Sequence, residues 1–80
     1  MRERKIMLTT IEDAKAFVEA STKCDFDIDV FYNRVVIDAK SILGVLSLDL
    51  TKVLTVRMHG ESREYEEFLM TLSAEAAKVA

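Results

Sequence analysis

The stretch "DAKSILGVLSL", residues 38–48, decides how the chain is read. Ile42, Leu43, Val45, Leu46 and Leu48 crowd around a single glycine, Gly44. A buried strand would account for the apolar run, but a glycine in the middle of a strand weakens it. A short helix over residues 42–49 accounts for both features. Ser41 caps its first turn, because a serine hydroxyl accepts a backbone N–H that the helix leaves unpaired. Ile42, Val45 and Leu46 then recur at helical spacing, and Leu43 falls on another side, toward water. Gly44 lets this helix sit close to its neighbour. More apolar side chains remain than one inward face can take.

The flanking segments supply that neighbour. Residues 4–8 read as a first strand. "TTIEDAKAFVEAST", residues 9–22, reads as a helix: Thr9 and Glu12 have capping-box spacing, and Ile11, Ala14, Phe17, Val18 and Ser21 follow one face. Lys23 lies near its end, where a cation suits the helix dipole. "DFDIDVFY", residues 25–32, alternates Asp25, Asp27 and Asp29 with Phe26, Ile28 and Val30, as a strand with one wet and one dry face does. Asn33-Arg34 makes a tight turn, and "VVIDA" returns as a third strand. "VLTVRMH", residues 53–59, is a fourth strand with Leu54, Val56 and Met58 inward, ended by Gly60. Ser62 caps a final helix whose inner stripe is Tyr65, Phe68, Leu69, Leu72 and Ala76. The order β-α-β-β-α-β-α predicts an α+β fold, a four-stranded antiparallel sheet covered on one face by three helices. A ferredoxin-like split β-α-β arrangement with an extra helix has the same order, and pattern alone leaves both open.

Bulk properties narrow the function classes. Eighty residues, 50% of them hydrophobic and 31% charged, predict one globular domain over residues 1–80. A net charge of −3 argues against a nucleic-acid partner, which would need a basic face. No apolar run approaches the roughly 20 residues of a membrane span, and "MRERKIMLTT" lacks the apolar core of a signal peptide. With one cysteine, Cys24, and hence no internal disulfide, a cytoplasmic setting is expected. Cys24 has no Cys or His neighbour in sequence, and a flat strand bearing Asp25, Asp27 and Asp29 lacks the wrapping geometry of a calcium loop. Neither metal nor cofactor is expected, and no enzymatic constellation emerges.

"AKSILGVLSLDL", the "FYNRVVID" before it and "HGES" before the last helix resemble the HPr phosphocarrier family of the bacterial sugar phosphotransferase system. That family carries Lys-Ser-(Ile/Val)-Met-Gly-(Val/Leu)-Met-Ser-Leu between its third and fourth strands. The resemblance implies an open-faced β-sandwich and favours it over the ferredoxin-like option. It also implies a site. In the family, a histidine in a Gly-Ile-His-Ala-Arg-Pro-Ala loop opens the first helix, accepts phosphate from Enzyme I and passes it to sugar-specific transport proteins. Counting back from Ser41 without gaps puts Thr10 at the histidine position, Glu12 at the arginine and Asp13 at the proline, and residues 1–58 contain no histidine.

The residue types agree with loss of the carrier. A phosphohistidine at a helix start needs free backbone N–H groups, the positive dipole end and a nearby arginine. Glu12 and Asp13 instead stabilise the helix by about 0.3–1 kcal/mol each and repel a phosphoryl group. A Thr10 hydroxyl is no substitute for a labile phosphoramidate. His59, at the end of the fourth strand, is expected at the opposite end of the sheet, facing water. Ser41 aligns with the family's regulatory serine, the target of an ATP-dependent kinase. Ile42, Leu43 and Leu46 align with an apolar patch that docks protein partners in the family, and Lys40 keeps a positive charge beside it; some of these side chains are expected to pack inward, leaving Leu43 and a neighbour exposed. Glu12 would turn away a partner that reads the arginine. The resulting expectation is a regulatory, protein-binding relative whose partner is a phosphotransferase-system or catabolite-regulation protein. Two rivals stay open: a binding module sharing only the fold, and a phosphocarrier using another residue.

Overall fold

Alternation in two strands organises the molecule. In the computed structural model, which describes residues 2–74, the elements are β1 (Arg2–Ile6), α1 (Ile11–Thr22), β2 (Ile28–Tyr32), β3 (Val35–Asp38), α2 (Ile42–Leu46), β4 (Leu54–Met58) and α3 (Arg63–Thr71). Ile28 and Val30 of β2, with Leu54, Val56 and Met58 of β4, are all buried. Successive side chains of a strand point to opposite faces, so this apolar set forms one dry surface. The strands pair antiparallel in the order β1-β4-β2-β3, with Val30 opposite Val56 and Ile6 opposite Leu54. Phe17 of α1, Val45 of α2, and Tyr65 and Leu69 of α3 close the core over that surface. The other face of the sheet is open and mixes polar with apolar side chains, with Glu3 bound to Arg57 at 2.8 Å and the Arg57 guanidinium lying 4.9 Å from the centre of the Phe31 ring. This is the open-faced sandwich, not the split β-α-β alternative. No helix among the described residues is long and apolar enough to cross a membrane.

One polar contact lies inside the core. The Ser21 hydroxyl, fully buried on α1, donates to the Phe17 carbonyl at 2.8 Å and meets the Tyr65 hydroxyl of α3 at 2.8 Å. A buried polar group costs little only when it is bonded, and this pair ties α1 to α3. Burial pushes the Tyr65 phenol well above its usual range, and the Ser21 hydrogen bond offsets part of that rise.

Several boundaries differ from the sequence reading. The first strand is Arg2–Ile6 rather than residues 4–8, because Arg2 and Arg4 occupy the helix-side positions that alternate with it. Their charges are met by α3 and the segment before it: Arg4 reaches Glu66 of α3 at 2.8 Å, and Arg2 reaches Glu66 at 3.3 Å and Glu61, just before the helix, at 3.1 Å. Ile11 is not on the buried stripe but 60% exposed, since the stripe begins one turn later at Ala14. The second strand starts at Ile28, so Asp25 and Asp27 precede it. The short helix ends at Leu46, not near residue 49. Asn33, with φ of 55°, makes the β2–β3 turn. Lys23 caps the end of α1 and pairs with Glu19 at 3.9 Å. Ala76 lies outside the described residues.

Gly44 answers the question posed by its own segment. A Cβ at this position would lie 2.5 Å from Cγ2 of Ile37 on β3, so the glycine is what lets α2 settle onto that strand. Gly44→Ala should gain about 1 kcal/mol of helix propensity and lose about 1–3 kcal/mol to overpacking, for a net fall in the thermal midpoint. In an Ile37→Ala background the same substitution should cost little. Equal losses in both backgrounds would mean that the contact is not the cause.

Candidate functional site

Two helix starts hold the residues singled out from the sequence. At α1 the N-cap is Thr10, in extended conformation, whose hydroxyl accepts the Asp13 N–H at 3.0 Å. The Asp13 carboxylate folds back and accepts both the Thr9 N–H at 3.2 Å and the Thr9 hydroxyl at 2.9 Å. The cap is therefore Thr10 with Asp13, one residue beyond the Thr9–Glu12 pair read from the sequence. "TTIED" contains both spacings, and only the three-dimensional path chooses between them. Glu12 stays exposed in the first turn. Two carboxylates thus sit at the positive end of α1, where they complement the dipole and disfavour a further anion.

At α2, Ser41 is the N-cap: its exposed hydroxyl accepts the Gly44 N–H at 3.1 Å. Asp38 holds the approach, accepting the Lys40 N–H on Oδ1 at 2.9 Å and the Ser41 N–H on its carbonyl at 3.0 Å. The Lys40 ammonium does not stand free beside the patch. It donates to the Cys24 carbonyl at 2.9 Å, at the end of α1. Val45 is fully buried and Ile42 packs on the core, whereas Leu43 is 81% and Leu46 38% exposed. Leu43 and Leu46 are three residues apart, hence on one helix face. Ile42 therefore belongs with the core, and the outward pair is Leu43 with Leu46.

His59 lies at the far end of the sheet. Arg2, the start of β1, pairs with Met58, whereas α1 follows the other end of β1. The imidazole is not simply facing water: its Nε2 meets Asp29 Oδ2 at 3.0 Å, and its backbone N–H donates to the Asp27 carbonyl at 3.0 Å. This pairing was not legible from the aspartate row alone. Cys24 is half-buried; burial pushes its thiol up, and the Lys40 charge offsets part of that rise.

A family model described as "PTS HPr component phosphorylation site" matches residues 11–78. The chain belongs to the HPr family. Among solved structures it is similar to HPr-C-His from Thermoanaerobacter tengcongensis, with 25% identity, a TM-score of 0.74 and 89% of each chain covered. It is also similar to the phosphocarrier protein HPr from Bacillus anthracis str. Ames, with a TM-score of 0.64 over 91% of this chain and 93% of that one. At 23% identity the second likeness speaks for the fold alone.

Within the HPr family, then, this chain presents an α1 start bearing Thr10, Glu12 and Asp13, and a single histidine, His59, bound to Asp29. The cap assignment is directly testable. Thr10→Ala should lower unfolding free energy by about 1 kcal/mol, measured by denaturant titration, while Glu12→Ala should change it by under about 0.5 kcal/mol. The reverse order would place the cap at Thr9 and Glu12.

Proposed function

We propose that this HPr-family protein of the phosphoenolpyruvate-dependent sugar phosphotransferase system works by binding a protein partner through α2, and that it does not carry phosphate on a histidine. The observation that carries the reading is the Asp13 carboxylate folded over the first turn of α1. Thr10 occupies the histidine position and Glu12 the arginine position in the gap-free alignment, so the helix start offers acids where a carrier needs an imidazole and a cation. The protein is accordingly a binding protein rather than an enzyme, acting in the cytoplasm among other phosphotransferase or catabolite-regulation proteins, with no nucleic-acid or membrane role.

The face offered to a partner is Leu43 with Leu46, and Ile42 supports it from beneath. Lys40 contributes position rather than free charge, since its ammonium is bound to Cys24. Ser41 is the regulatory candidate. Its exposed hydroxyl begins α2, and a phosphate there adds about −1.5 to −2 charge directly beside the two leucines. Asp38 opposes that charge, so the modification would loosen the loop as well as mark the patch.

Two incubations test the reading. With phosphoenolpyruvate and Enzyme I the protein should acquire no acid-labile phosphate, and label that survives base but not acid would overturn the proposal. With ATP and the HPr serine kinase, the wild type should be labelled and Ser41→Ala should not. Absence of label at Ser41 would favour the module that shares the fold without the regulation.

A further inference from the structure

We infer that β3 is a self-association edge, through which two copies of this chain join their sheets about a two-fold axis at Val36. The sheet has two edges, and they are built differently. Along β1 run Arg2, Glu3, Arg4 and Lys5, the charged composition that discourages strand addition. Along β3 run Val35, Val36 and Ile37, with Val35 50% and Val36 61% exposed and neither lysine nor proline to guard them.

The main chain fixes which groups the edge presents. The Ala39 N–H donates to the Ile28 carbonyl at 2.9 Å, one step beyond the Asp29–Asp38 pair of the β2–β3 ladder. Bonded and non-bonded pairs alternate along antiparallel strands. Ile37 and Val35 therefore bond to Val30 and Tyr32, while Val36 aims its N–H and C=O outward, as does Asp38, whose carbonyl also accepts the Ser41 N–H. A two-fold axis must set outward residues against outward residues. With the axis at Val36, that residue meets its own counterpart, and both Val36 amides find carbonyls.

Side chains select the same register. With the axis at Val36, Arg34 of each copy, in the turn just before β3, comes to the end of the other copy's strand at Asp38, so both ends of the joined strands bring opposite charges together. Moving the axis to Ile37 shifts Arg34 away from Asp38 toward Lys40 in the turn after β3, and moving it to Val35 shifts Arg34 toward Val36. Arg34 is exposed and has no hydrogen bond or ion pair within the chain among the described residues. Asp38 uses Oδ1 for the Lys40 N–H and has Oδ2 to spare. On the open face Val36 lies beside Phe31, so joining the sheets covers both valines of the axis and extends one apolar strip across it. The occupant that fits is thus a second copy of this chain.

The contact is short, so the dimer is weak, with a Kd of about 100 μM. Sedimentation equilibrium of the intact protein over a concentration series tests it. The wild type should dimerise. Arg34→Asp should weaken the dimer about tenfold or more, because the introduced carboxylate then faces Asp38 of the other copy, and Asp38→Arg should do the same with two guanidinium groups. Mixing these two variants should restore a dimer, because each then meets its opposite charge. Val36→Pro should abolish association without removing a ladder bond, since that N–H faces outward. A wild type that stays monomeric to about 1 mM, or a dimer indifferent to both Arg34→Asp and Val36→Pro, would overturn the inference. Arg34→Asp and Val36→Pro decide the matter even if Asp38→Arg folds poorly.

Discussion

The Asp13 carboxylate, bonded to Thr9 across the first turn of α1, is the constraint from which the functional account follows. A helix start is a site for negative charge, through its unpaired N–H groups and its dipole. Here the chain fills that site with its own side chains. Thr10 takes the Asp13 N–H, Asp13 takes Thr9, and Glu12 adds a second negative charge beside them. The same carboxylates that stabilise α1 put negative charge at its start, which disfavours a further anion there. The one histidine is held by Asp29 at the opposite end of the sheet.

On the proposed reading, α2 is the surface that meets a partner. A helix of five residues has little stability of its own and is held by packing. Val45 plugs it into the core, Gly44 brings it against Ile37, and the Lys40–Cys24 bond ties its approach to the end of α1. Leu43 and Leu46 are consequently displayed on a rigid support. A partner that met them would lose little free energy to ordering this side of the interface.

Much of this was legible in the sequence because the deciding signals are local. The alternation in β4, the serines that cap α2 and α3, and the outward position of Leu43 follow from spacing within a few residues. The match of "AKSILGVLSLDL" to its family pattern chose between two sheet topologies that periodicity leaves equal. What was not legible depends on contacts far along the chain. β1 looks unlike a strand at Arg2 and Arg4 because their partner, Glu66, lies on α3. His59 and Asp29 meet only once β2 and β4 are paired, and Lys40 reaches Cys24 only once α2 is docked. The cap of α1 was misplaced by one residue because Thr9 and Thr10 each have an acid three positions on.

Closure of the α1 start by its own acids can be measured without any partner. Inorganic phosphate is titrated into the isotopically labelled protein while the backbone amide resonances of residues 10–14 are followed by NMR. These amides should move no more than those of surface residues far from α1, and without saturation. A saturable shift confined to residues 10–14 would show an open anion pocket and contradict the closure.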